Sequence, residues 1–214
     1  MSLVWIKDLK EETRLGIWKI EEGETELKNK LILNEKESAF FEDLKKGKRT
    51  LHWMASRVLL RKLLSLKKGE FLDTQLDEHE KPYILNKSFH FSLSHSFGYA
   101  AAIVSPHHLV GCDIEQIQEK ILRIADKFLS EDEINFISQR ETIKHLYACW
   151  SAKEAIYKLY GKKTISFKNH IHLHPFHISD KGEINASLQK DRFFKNLKVD
   201  YQVIEDYMLA YVVD

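Results

Sequence analysis

Apolar and polar positions follow two different periods along this chain, and the switches between them predict its elements. Residues 15–20 read as a strand, and a second apolar run follows at 31–33. Asn34 then precedes a charged and apolar helical pattern, as an N-cap would. Leu51, Met54, Ala55, Val58, Leu59 and Leu63 recur at helical spacing, which predicts a helix over 51–66. Phe89, Phe91 and Leu93 alternate with Ser88, His90, Ser92 and Ser94, the period of a strand. Tyr99–Ser105 and 109–115 read as two more strands, joined through Pro106, His107 and His108. Helical segments over 117–140 and 141–161 come next, with Ser130 as a cap between shorter pieces. From Ile165 onward the tail reads as strands, ending in 196–205 and Tyr207–Val213. Strands and helices occur in both halves, so the pattern predicts an α+β protein of two similarly sized lobes.

Composition narrows the function classes. The 33 Lys and Arg against 32 Asp and Glu leave a net charge of +1 over 214 residues, which argues against a protein that coats nucleic acid. Hydrophobic residues make up 43%, enough for a sizeable core, and only 3 Pro and 8 Gly leave little room for disordered linkers. The first residues carry charges at Lys7, Asp8 and Lys10 and lack the apolar core of a secretory signal. The longest stretch free of charged residues, 88–112, contains His90, His95, Pro106, His107 and His108 with polar residues at every second position. That suits strands rather than a membrane span. Cys112 and Cys149 lie in apolar surroundings without CxxC spacing, as buried free thiols of a reducing compartment would. The expectation is a cytoplasmic protein with neither a nucleic-acid nor a membrane partner.

Two constellations carry candidate chemistry. In an extended 110–115 segment, Gly111, Asp113 and Glu115 share one face, and Val110, Cys112 and Ile114 the other. Carboxylates at alternate positions sit about 7 Å apart at the backbone. They repel unless a cation is near, or unless the face is simply solvated. Gly111 is expected to leave open space beside them. In the second constellation, winding the chain at 100° per residue puts Ile143, Leu146, Tyr147, Trp150, Glu154 and Tyr157 on one stripe. Glu154 thus lies within an apolar face, with Lys158 one turn on. An ionised carboxylate there needs compensation beyond an intrahelical pair. A hard cation such as Mg²⁺ would satisfy all three acids, and Mg²⁺ is commonly shared with substrate phosphates. Basic residues for phosphates cluster at Lys45, Lys46, Lys48, Arg49, Arg57, Arg61 and Lys62, although such a run also fits an ordinary solvated face. His170, His172 and His174 alternate as if on one strand face, with His177 beyond, but lack an acid or cysteine to complete a zinc set.

Gly111-Cys112-Asp113-Ile114-Glu115, followed some forty residues later by Trp150-Ser151-Ala152-Lys153-Glu154-Ala155-Ile156-Tyr157-Lys158, resembles the paired signature of 4′-phosphopantetheinyl transferases. Lys81-Pro82-Tyr83 and Ser94-His95-Ser96 resemble two upstream motifs of the larger, two-lobed branch associated with surfactin synthetase. The family often has Gly before the Lys-Pro pair, where this chain has Glu80. The resemblance implies a pseudo-dimer of two similar α+β lobes with the active site between them, here 1–105 and 106–214. It implies transfer of the phosphopantetheine arm of coenzyme A to a serine of an apo acyl or peptidyl carrier protein by a monomeric enzyme. By the same resemblance, Asp113, Glu115 and Glu154 would hold Mg²⁺. Lys158 would contact the phosphate at the leaving oxygen, and Lys153 would help hold the nucleotide. Ser94 and His95 would touch coenzyme A phosphates, with Lys81 on the nucleotide side. Glu154, or Glu115 through a water, would take the serine proton. Arg49, His52 and Arg57, close in sequence and able to line one end of a helix, are the phosphate candidates of the first half. Two rival readings use the same residues: a metal-dependent phosphodiesterase or nucleotide hydrolase, and a non-catalytic coenzyme A-binding module.

Overall fold

One long helix laid against an antiparallel sheet is the organising unit of each half of the chain. The structure, a computed structural model, describes residues 2–33, 35–44, 48–66, 74–79, 81–85, 89–162 and 164–214. Contacts divide it into Met1–His108 and Leu109–Asp214, whereas the sequence expectation placed the boundary at 105/106. Both units mix helices and strands, an α+β protein.

The first unit contains β1 (Leu3–Asp8), β2 (Arg14–Lys19), α1 (Glu24–Lys28), α2 (Glu35–Asp43), α3 (Lys48–Leu63), β3 (Thr74–Leu76), β4 (Pro82–Ile84), β5 (His90–Ser96) and β6 (Tyr99–Ser105). Its main sheet has the order β1-β2-β6-β5, and β3 pairs with β4. Met54, Ala55, Val58, Leu59 and Leu63 bury one face of α3 against Phe91, Ala100, Ala102 and Val104 of the sheet. Periodicity identified that face, but α3 begins three residues earlier than expected and stops at Leu63. The run at 31–33 forms no strand; Leu31 and Leu33 pack against the core from a loop. The expected cap Asn34 lies outside the described residues, as do Lys45, Lys46, Glu80 and Ser88. β5 runs through Ser96, because Ser96 pairs with Tyr99 and leaves Phe97 and Gly98 as the turn.

The second unit contains β7 (Val110–Gln116), a 3₁₀ turn (Glu119–Arg123), α4 (Ala125–Phe128), α5 (Glu131–Asn135), α6 (Thr142–Tyr160), α7 (Phe167–His170), β8 (Ile171–Leu173), β9 (Lys181–Lys190), β10 (Phe193–Ile204) and β11 (Tyr207–Val213). The sheet order is β7-β11-β10-β9-β8, every neighbouring pair antiparallel. Ser130 caps α5 in a capping box: its side chain accepts from Glu133 N, and the Glu133 carboxylate accepts from Ser130 N. α6 ends at Gly161, whose φ of 74° is a left-handed value that glycine adopts without strain. Cys112 and Cys149 are buried free thiols. His170 is not on a strand with His172 but closes α7, where its Nδ1 accepts from Ser166 N. Among the described residues no helix is long and apolar enough to cross a membrane.

Gly111 sets how closely α6 meets β7. A Cβ built at this position would lie 2.0 Å from the Ala155 carbonyl oxygen and 2.9 Å from Leu159 N. Both neighbours are backbone, so no rotamer change relieves the clash. The space that the sequence expectation left open beside the two acids is therefore filled by the helix. Gly111→Ala should force α6 off the strand and destabilise the protein by about 3 kcal/mol, the upper end of overpacking effects. For a chain of this size that lowers the melting temperature by roughly 6–12 °C. Thermal melts followed by circular dichroism check this, and an unchanged midpoint would mean that the helix sits farther from the strand.

Candidate active site

β7 and α6 hold the acidic and basic residues of both sequence constellations. Because Gly111 faces α6, the alternation of a strand turns Asp113 and Glu115 to that same helix-covered side. Asp113 is 3% exposed, which removes the alternative of a solvated acidic face. Glu115 is half-buried and so is Glu154 on the helix. Loss of water raises the Glu154 carboxyl from 4.5 to about 7; the charge of Asp113 pushes the same way, Lys158 opposes it and Glu115 adds to it. Lys158 Nζ donates to Asp113 Oδ1 at 2.8 Å. Burial alone would depress the Lys158 ammonium, but the charges of Asp113 and Glu154 hold it above its ordinary value. An intrahelical pair at that spacing is too weak to compensate Glu154 alone, and Lys158 reaches across to the strand, where it bonds Asp113. Three carboxyl groups and one ammonium therefore act on one another here.

Lys153 corrects the sequence expectation. It is 0% exposed, and its Nζ lies 2.7 Å from Glu133 Oε2, 2.8 Å from Ile171 O, 2.9 Å from Phe128 O and 3.0 Å from Phe167 O. An ammonium has three hydrogens, and four acceptors already share them. No hydrogen is left over for a nucleotide. Burial pushes Lys153 below its ordinary pKa, against the pull of Glu133. Glu133 completes the arrangement by accepting from Ser130 N at 2.8 Å and from Leu173 N at 2.8 Å. Sequence reasoning passed over Glu133, although the Ser130-x-x-Glu133 capping pattern marked it. Trp150 packs edge-on to Phe128 at 5.1 Å and lies 5.5 Å from Phe167, so the aromatic of the motif seals the same region.

The first-half candidates divide into two groups. His52 and His95 come together: their rings stack with centroids 4.7 Å apart, and His52 Nε2 is 2.5 Å from Phe97 O. His95 is exposed on β5, whereas Ser94 points to the other, buried side of that strand. Arg49 is exposed at the start of α3. Arg57, by contrast, lies over the Trp53 ring at 3.7 Å with its Nε 3.8 Å from Glu37 Oε1, and burial lowers its pKa to about 10. Arg61 is buried too, so the basic run is not one solvated face. Lys81 lines a cavity of ≈ 190 Å³ with Asp77, Pro82, Tyr83, Phe89, His90 and Phe91. Burial lowers the pKa of Lys81, with the Asp77 charge opposing. Burial, followed by the Lys81 charge, does the same to His90, a residue that the sequence reading had treated only as a strand position.

Known proteins resemble parts of this chain. Residues 109–212 match the sequence model of the 4′-phosphopantetheinyl transferase superfamily. The chain is 33% identical over 89 residues to the 4′-phosphopantetheinyl transferase gsp of Aneurinibacillus migulanus, covering 40% of this chain and 37% of that protein. It is 44% identical over 78 residues to the 4′-phosphopantetheinyl transferase psf-1 of Bacillus pumilus, covering 35% of this chain and 33% of the relative. The matched stretches thus span about a third of each relative's length. The family match runs through β7, α6 and β11, the strand and helix that bear the carboxylates included. The segment that carries β7 and α6 is therefore similar to the 4′-phosphopantetheinyl transferase superfamily.

Proposed function

We propose that this protein is a 4′-phosphopantetheinyl transferase that moves the phosphopantetheine arm of coenzyme A onto a serine of an apo acyl or peptidyl carrier protein, acting as a monomer and requiring Mg²⁺. The two similar lobes that the resemblance implies belong to the same proposal. The observation that carries it is the mutual perturbation of Asp113, Glu154, Glu115 and Lys158 across β7 and α6, inside the segment that matches the family.

The donor set fits a hard divalent cation. Its oxygens come from carboxylates, and burial together with the nearby Asp113 charge keeps a proton on Glu154 up to about pH 7. Among the described residues, no three such side chains are already drawn together tightly enough to ligate an ion. Asp113, Glu115 and Glu154 would hold Mg²⁺, which when bound neutralises pyrophosphate charge. The remaining work falls to the chain's own groups. Lys158 donates hydrogen bonds to the phosphate at the leaving oxygen as negative charge develops there. Glu154, with a carboxyl pKa near neutrality, takes the proton of the attacking serine hydroxyl, or Glu115 does so through a water. The serine oxygen forms its bond to phosphorus as the pyrophosphate bond breaks, and adenosine 3′,5′-bisphosphate leaves. His95 and His52, with Arg49 and Lys81, are the proposed coenzyme contacts in the first unit. Arg57, stacked and paired, supports α3 instead.

Mass spectrometry of apo carrier proteins incubated with the protein, coenzyme A and Mg²⁺ tests the activity directly, and a carrier whose mass never changes would refute it. Asp113→Ala and Glu154→Ala should each lower turnover by about a hundredfold or more, the scale expected when preorganised charge stabilisation is lost. Near-normal turnover of either at saturating Mg²⁺ would remove these residues from the site.

Stability provides a separate check. Glu154 has a folded-state pKa above its unfolded value, so between pH 4.5 and about 7 the folded state binds the extra proton. The metal-free protein should therefore lose stability as pH rises through that window, by up to about 3 kcal/mol relative to Glu154→Gln. Urea titrations of both proteins at several pH values with EDTA measure the difference. Parallel pH dependences would show that Glu154 titrates normally.

A further inference from the structure

Among the described residues, Lys153 and Glu133 are the most deeply buried ion pair of the second unit, with side chains 0% and 3% exposed. The proposed chemistry uses neither. Their acceptors and donors belong to four separate places in the chain: Phe128 at the end of α4, Ser130 before α5, Phe167 in α7, and Ile171 and Leu173 in β8. The next residue along α6 is Glu154. Consecutive helical residues point about 100° apart, so Lys153 enters the cage while Glu154 turns toward Asp113 and Glu115. On the strand side, α6 already rests on Gly111 through the Ala155 carbonyl, the residue after Glu154. The helix is thus gripped at positions 153 and 155, on either side of the carboxylate that must meet β7.

We infer that Lys153 is a positioning residue: through the Glu133 carboxylate and three backbone carbonyls it fixes the rotation and height of α6, and so the place of Glu154. This rests on the transferase reading above. It assigns the lysine of the motif a role inside the protein rather than on the nucleotide. The reach of Glu154 toward the strand depends on where the helix stands. Loosening the cage should therefore reduce the chemical step and leave coenzyme affinity alone.

Two variants test this, Lys153→Met and Glu133→Gln. The second keeps one acceptor oxygen, for Ser130 N or Leu173 N, and removes the charge and the other acceptor. Both should lower kcat at least thirtyfold and lower the melting temperature, while KM for coenzyme A and its Kd by calorimetry stay within about twofold of wild type. A nucleotide-contacting Lys153 gives another pattern: Lys153→Met raises the coenzyme A Kd tenfold or more, and Glu133→Gln is nearly silent. That result overturns the inference, as does wild-type kcat in both variants. If Lys153→Met does not fold, Glu133→Gln alone decides between kcat loss at unchanged Kd and no effect. Should the wild-type protein modify no carrier, the transferase reading fails on its own. The cage is then judged from amide hydrogen exchange in α6. Exchange at 151–158 quickens in Glu133→Gln if the pair holds the helix, and matches wild type if it does not.

Discussion

Everything at the candidate site depends on a backbone-to-backbone approach between α6 and β7. Position 111 has no side chain, and the Ala155 carbonyl occupies the place where one would be. An alanine there would separate helix and strand, and with them Glu154 from Asp113. Proximity of like charges is unfavourable, so nothing in the carboxylates themselves would hold them together. The favourable terms come from elsewhere: the apolar core of the second unit, in which Ala152, Ala155, Ile156 and Leu159 are buried, and the Lys153 cage. Breaking a buried ion pair by removing one partner typically destabilises by about 3–5 kcal/mol, comparable with the cost of crowding the acids. The strain of the site and the strength of its support are of the same order.

The two lysines of α6 divide the labour. Lys158 is bonded to Asp113 and stays among groups that can meet solvent or substrate, whereas Lys153 is sealed away with all its hydrogens engaged. They are five residues apart, carry the same charge and are offset by about 140° around the helix. That angle alone sends one to the sheet with the acids and the other to α4, α7 and β8.

The same geometry explains what could be read from the sequence. Period two placed Asp113 and Glu115 on one face, and period 3.6 placed Glu154 within the apolar stripe of α6; both follow from local backbone geometry. The stripe of α3 was legible for the same reason. What covers a face is a tertiary fact, and there the reading failed: Gly111 was taken to leave space when it admits a helix. Lys153 was misassigned because three of its four acceptors are backbone carbonyls, at Phe128, Phe167 and Ile171, which carry no residue identity. β1 was missed because it is an edge strand whose burial is weakly alternating, and α1 because five residues hold too little periodicity. His170 looked like a strand residue because alternation of His170, His172 and His174 is blind to a four-residue helix ending at the first of them.

Basic residues in the first unit make the converse point. Arg57 and Arg61 were counted with Arg49 as a positive surface, yet stacking on Trp53 and burial take both out of that count. A charge run in sequence is therefore not a charge surface in the fold, and only groups left with accessible donors can meet a phosphate. In the second unit the balance is tighter still. Three carboxyl groups face one accessible ammonium, and the excess negative charge is relieved in part by a proton on Glu154 near neutral pH. A carboxyl poised there gives up its proton at little cost when a cation approaches, and it accepts one readily from a hydroxyl. Burial under a helix that Gly111 admits, with the Asp113 charge beside it, is thus what brings this one carboxyl to the edge of neutrality.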